Sequence, residues 1–164
     1  MRSTWASIIV LGLAAAGCAA EIATSAGQGT PDYVRFAHTV KTQYVTLYWD
    51  CTHTETGLRR LQGVGVNLWE PVPPRFLELS LFGVDAHGRV LSRTRGLAQG
   101  VELLKNFPVP FLLDLAVQGQ EVRVDLIYRY EYADDSFGEF TRRMPYYVTG
   151  RVSDACGQGG RHAQ

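Results

Sequence analysis

The chain has 164 residues, enough for one domain, with 46% hydrophobic and 20% charged residues. Sixteen basic side chains balance sixteen acidic ones. With no basic excess to attract phosphates, nucleic acid is excluded as the expected partner.

The first elements concern address rather than fold. Met1 and Arg2 form a short positive start, and residues 8–16 are an apolar run of nine, too short to cross a bilayer at about 20 residues per helix. Ala15, Ala16, Gly17 and Cys18 follow. Two small residues, Gly and then Cys resemble the lipobox of bacterial lipoproteins, although the usual Leu three positions before the Cys is replaced by Ala15, with Leu13 two residues earlier. The resemblance implies cleavage of residues 1–17, acylation of Cys18 and a chain of 147 residues. Buried acyl carbons would supply about 0.8 kcal/mol per CH₂ to the anchor. The alternative is a secretory signal ending in A-x-A, with Cys18 a bystander. In the sorting rule of enteric bacteria, Asp after the Cys retains a lipoprotein at the inner membrane, so Ala19 points to the outer membrane.

Residues 18–32 are small and polar without apolar period, the composition of a flexible tether. Residues 157–164 are Gly-rich and polar and are expected to be a disordered tail, leaving one domain at 33–156. Within it, alternation at period two predicts strands. Residues 44–51 place Val45, Leu47, Trp49 and Cys51 on one face. Residues 61–69 place Val64, Val66 and Leu68 on one face, with Gly63 and Gly65 opposite, where a bulge or a close backbone would use them. Pro71, Pro73 and Pro74 stop that ladder because proline lacks a donor. Residues 76–84 alternate Leu77, Leu79 and Leu81 with Glu78 and Ser80, residues 85–88 form a turn, and residues 89–94 return as a short strand. A helical turn is expected at 101–105. Residues 109–117 form a strand whose prolines, Pro108 and Pro110, mark an edge or a bend. Residues 121–132 send Val122, Val124, Leu126, Tyr128, Tyr130 and Tyr132 inward and Arg123, Asp125, Arg129 and Glu131 outward. Residues 144–152 are the last strand, and residues 33–40 add an edge strand. Seven or so short strands with frequent turns predict an all-β, immunoglobulin-like antiparallel sandwich.

Residues 45–132 resemble the FxLYD type of bacterial immunoglobulin-like domain. Gly63, Gly65, Val66 and Asn67 match its G-x-V-x-N strand end, Asp85 to Gly88 its D-x-x-G turn, and Gly100 with Phe107 its later Gly and Phe. The signature itself falls on Leu81, Phe82, Gly83, Val84 and Asp85, of which only Asp85 is kept. The resemblance implies a fold and little chemistry, because the fold hosts many roles.

With Cys18 acylated, Cys51 and Cys156 remain, and an even remainder in an oxidising compartment suggests a disulfide. The alternative is two separate thiols, one buried in a strand and one in the tail. The four histidines, His38, His53, His87 and His162, lack metal-ligand spacing, and no nucleophile or phosphate-loop motif is present. No cofactor, metal or catalytic residue is expected. Asp134, Asp135, Ser136 and Glu139 are the acidic cluster, and adjacent aspartates do not match a calcium loop.

Residues 133–143 connect two strands with eleven residues, where hairpins usually take about 2–5. Phe137, Phe140, Arg142 and Arg143 there, together with Trp69 beside the prolines, are the candidate contact residues, since aromatics and Arg anchor interfaces. The expectation is a membrane-anchored periplasmic lipoprotein, bound through its lipid and to another envelope protein, acting as a non-catalytic binding or structural module. The alternatives are a metal-dependent or enzymatic protein using the acidic 133–143 loop, and a surface-exposed lipoprotein.

Overall fold

The computed structural model describes residues 32–54, 57–68, 72–132 and 146–157. Eight strands run in chain order: β1 (His38–Lys41), β2 (Thr46–His53), β3 (Leu58–Val66), β4 (Arg75–Val84), β5 (Val90–Leu97), β6 (Pro108–Ala116), β7 (Arg123–Tyr132) and β8 (Tyr146–Val152). They form two four-stranded sheets, β1-β2-β3-β6 (sheet A) and β5-β4-β7-β8 (sheet C), with every pairing antiparallel. The chain changes sheet between β3 and β4, β5 and β6, and β6 and β7, so β3 neighbours β6 across an excursion through the other sheet. This is the crossed connection of an immunoglobulin-like sandwich.

Alternation builds the core. Val45, just before β2, Leu47 and Trp49 of β2 and Leu77, Leu79 and Leu81 of β4 are essentially inaccessible, as are Leu113 and Leu115 of β6 and Val124 and Leu126 of β7. Each such buried aliphatic side chain contributes about 1.5–3 kcal/mol relative to exposure. On β3 the core face is the glycine face: Leu61, Gly63 and Gly65 are buried, while Val64 lies half-buried on the opposite side. A methyl group at Gly63 would run into the backbone carbonyl of Tyr48 on the neighbouring strand and stand 2.7 Å from both Trp49 Cβ and Phe111 Cζ. The expected close backbone, together with two bulky core aromatics, rather than a bulge, accounts for the glycine.

Trp49 donates its indole N–H to the Ala155 carbonyl (2.8 Å), tying sheet A to the segment after β8. At the other end of the sandwich the buried Tyr130 hydroxyl accepts from the Tyr44 N–H (3.1 Å) and shares a hydrogen bond with Thr42 Oγ1 (2.8 Å). A disulfide joins Cys51 of β2 to Cys156, with Cα atoms 5.5 Å apart and a sequence separation of 105. The two separate thiols are thereby ruled out, and Cys156 belongs to the domain.

Four expectations need correction. Residues 101–105 form no helical turn. Leu103 N–H donates to the Pro74 carbonyl and Asn106 N–H to the Asn67 carbonyl, which holds the segment extended along the start of β4 and the end of β3. The expected edge strand at 33–40 divides into a 3-10 turn (Asp32–Arg35) and the short β1. Val122 is 64% exposed because β7 begins one residue later. Asp125 points to the outer face as expected, yet it is fully buried there beneath its neighbours. Pro108 and Pro110 do mark an edge, since β6 is the outermost strand of sheet A.

Candidate functional site

The outer faces of the two sheets carry different chemistry. On sheet A the pairing aligns Tyr48, Val64 and Pro110 in one row, Thr46, Val66 and Pro108 in the next on one side, and Asp50, Gln62 and Leu112 in the next on the other. The row is apolar at its centre, and Leu112 remains 48% exposed. The chain before β1 crosses this face. The Tyr33 ring packs on Tyr48 with centroids 5.0 Å apart, and burial, reinforced by Tyr33, pushes the Tyr48 phenol above its usual value. Ala37 N–H donates to Asp50 Oδ1 (2.7 Å), which fixes the approach to β1. Between this crossing and β6 lies a groove of about 680 Å³ lined by Asp32, Tyr33, Phe36, Val64, Asn106 and Pro108. That size and its apolar walls suit a contact side chain or a short segment of a partner. Phe107, at 65% exposure, immediately precedes the Pro108 of its wall.

Sheet C has a polar outer face. Its charges are organised around Asp125, which accepts from Asp154 N–H (2.9 Å), from Ser153 Oγ (3.3 Å), and from Arg151 and Arg123 (Nε to Oδ1, 3.3 Å). Burial alone would raise the Asp125 carboxyl, but the bonds from Arg151 and Asp154 and the charges of Arg151 and Arg123 outweigh it and hold the group below the usual carboxylate range. Asp85 behaves alike. Its burial is outweighed by Arg89 and by the His87 N–H, as the carboxylate caps the turn between β4 and β5. Before β7, the Glu121 carboxylate accepts from the Gln118 N–H (2.9 Å) and Ser92 Oγ (2.8 Å), which likewise outweigh its desolvation. All three acids are committed to backbone N–H groups together with arginine or, for Glu121, serine partners, so they serve architecture.

A smaller cavity of about 310 Å³ opens at the sandwich mouth beside the disulfide, between His53, Arg59, Val117, Asp154 and Cys156 among others. Arg59 and Asp154 there carry opposite charges. Among the described residues, no group of three His, Cys, Asp or Glu side chains could hold a metal ion. His38 stacks on Trp49 (centroids 5.6 Å apart), whereas His87 lies in the β4–β5 turn, so these histidines serve different elements.

Of the sequence candidates, Cys51 and Cys156 are joined in the disulfide. Cys18, Trp69, Phe137, Phe140, Arg142 and Arg143 lie outside the described residues, as do Asp134, Asp135 and Glu139. The strands flanking the 133–145 segment end in an aromatic cluster, in which Tyr44 stacks on Tyr132 (3.9 Å) and Tyr146 meets Tyr132 edge-on (5.6 Å). Sequence reasoning missed the groove because Tyr33 and Phe36 sit on a short crossing segment with no period of its own. It also passed over the Arg93-x-Arg95 repeat of β5, an alternation that was available in the chain.

No protein-family model and no curated protein matches the chain. Among solved structures, the chain is similar to the GAE domain of yeast GGA1, at 13% identity and a TM-score of 0.45, over 71% of this chain and 97% of that one.

Proposed function

We propose that this protein is a lipid-anchored, non-catalytic binding or structural-support module of the bacterial cell envelope, of the FxLYD-like kind, held through Cys18 in the outer membrane and facing the periplasm. The lipobox-like Ala15-Ala16-Gly17-Cys18 supports the anchor, and a disulfide within the domain suits an oxidising compartment. The observation that carries the binding role is the apolar groove over Val64 on a cross-linked sandwich. Rigid sandwiches present their contacts on such features, and aromatic walls supply interface anchors. The 133–143 loop, with Phe137 and Phe140, contributes a second contact in this reading.

Two measurements test it. Intact mass of the mature chain should give cleavage before Cys18 with added acyl groups; a free Cys18 thiol would remove the anchor. Photo-crosslinking from Phe36 in whole cells should trap one envelope component, and Tyr33→Ala should reduce that adduct without lowering the melting temperature by more than a few degrees. An adduct formed equally well by the Tyr33→Ala protein would eliminate the groove as the contact.

A further inference from the structure

The outer face of sheet C is coated with arginine. Pairing places Phe82 of β4 between Arg93 of β5 and Asp125 of β7. One row further on, Ser80 lies between Arg95 and Ile127, and Ile127 is followed by Arg151 of β8. In the next row Glu78 faces Arg129. Arg123 joins the same face through Asp125. Five guanidiniums from three strands therefore share one surface.

Against these five stand Glu78, Asp125 and, at the end of β7, the half-buried Glu131, and the two acids that pair with arginines lie deeper than their partners. Side-chain exposure is 68% for Arg95 and 58% for Arg151, against 20% for Glu78 and 1% for Asp125, their respective partners. Arg93 is exposed, and no ion pair holds it among the described residues. The Arg129 guanidinium carbon stands over the Tyr147 ring, 3.8 Å from its centroid. A shallow depression of about 500 Å³ runs between Arg93 and Arg95, with Phe82, Ser80, Thr94 and the largely buried Glu78, which pairs with Arg95, in its floor and walls. The outward field of this face is positive although the whole chain is neutral. A guanidinium fork matches phosphate oxygens two at a time.

We infer that this face docks on the anionic headgroups of a phospholipid bilayer. The inference rests on the proposed anchor. Thirteen residues lie between Cys18 and Asp32, and no conformation of them can place Asp32 further than about 50 Å from the lipid. The domain is thus always near the headgroups, and the two sheets of a sandwich lie only about 10 Å apart, so the tether can pass around it. Docking through sheet C turns the apolar groove of sheet A away from the bilayer, towards a partner.

The test uses the full chain carrying Cys18→Ser, so that no acyl group contributes, with vesicles of phosphatidylcholine alone or doped with phosphatidylglycerol. Co-sedimentation should require phosphatidylglycerol and fall as salt rises. Each basic group near an anionic surface strengthens binding by roughly fivefold. Arg93→Gln should therefore weaken it by about that factor and Arg93→Gln/Arg95→Gln further, while the two Lys replacements retain most of it. Equal binding to both vesicles, or no loss in the double Gln variant, would overturn the inference. So would capture of a soluble acidic protein with no vesicle binding, since the occupant would then be a protein. Arg93 is exposed and unpaired among the described residues, so its single variant reads docking without a folding effect. Failure of the anchor is read separately, from the mass of the wild-type chain. Vesicle binding that persists beside a free Cys18 thiol would leave the face assigned and remove only the tether.

Discussion

The two outer faces show how differently one architecture can be finished. Sheet A carries Tyr48, Val64, Pro110 and Leu112, rings and aliphatics that water leaves half covered, and a single crossing segment shields them in part. Sheet C carries arginines over buried carboxylates. On the polar side the carboxylates are bonded internally and the arginines keep exposed surface, whereas on the apolar side the rings and aliphatics themselves are the contact surface. Acid residues that look solvent-facing in the alternation hold sheet C together, whereas residues that look structural on sheet A are available to a partner.

The largest expected effect comes from the bond that ties the two sheets. Replacing Cys51 and Cys156 together by Ala releases a loop of more than 100 residues and should cost about 4–5 kcal/mol by chain entropy, read as a lower guanidinium midpoint. A shift below about 1 kcal/mol would mean that the sheets hold each other without it.

Next comes the centre of sheet C. Asp125→Ala removes the buried acceptor shared by Arg151, Ser153 Oγ and the Asp154 N–H and should cost about 1–3 kcal/mol. The same comparison can be sharpened with pH. Asp85, Glu121 and Asp125 all have lowered values, so their stabilisation is complete above the unfolded carboxylate range, near about 4, and is lost as pH falls through their folded values. Two of these acids cap the turns that lead into β5 and β7 and the third lies on β7, so hydrogen exchange in acid should open sheet C before sheet A. On sheet A only Asp114 has a lowered carboxyl, held down by its hydrogen bond from Arg60, and that pair is a third or more exposed and contributes little. Simultaneous opening of both sheets would break the contrast. The smallest effect belongs to the apolar face, where Leu112→Ser should change stability by no more than about 0.5 kcal/mol.

The strands were legible because alternation is a local property. β4 and β7 could be read from Leu77-x-Leu79-x-Leu81 and Val124-x-Leu126, where every second residue is buried. Which side of β3 faced inward was not, because two of its core positions are glycines whose room is taken by Tyr48, Trp49 and Phe111 at Gly63 and by Leu47, Leu77 and Leu103 at Gly65, and that depends on how β3 sits against its neighbours. The same holds for Asp125. Its burial arises from Arg151, 26 residues away, and Asp154, 29 residues away, and no spacing within β7 announces either. The arginine face is likewise a product of β5, β7 and β8 lying side by side.

The disulfide also fixes how the domain would bear a load. Traction between the N-terminal side and residue 157 would enter at Asp32 and reach the covalent bridge at Cys51. Only the eighteen residues between them, which include β1 and most of β2, could be drawn out, a gain in length of at most about 65 Å. Everything from β3 to β8 sits inside the bridged loop and is bypassed by the force. A module built this way would yield by a short, bounded step and keep sheet C, with its arginine face, intact while the first two strands are peeled from sheet A.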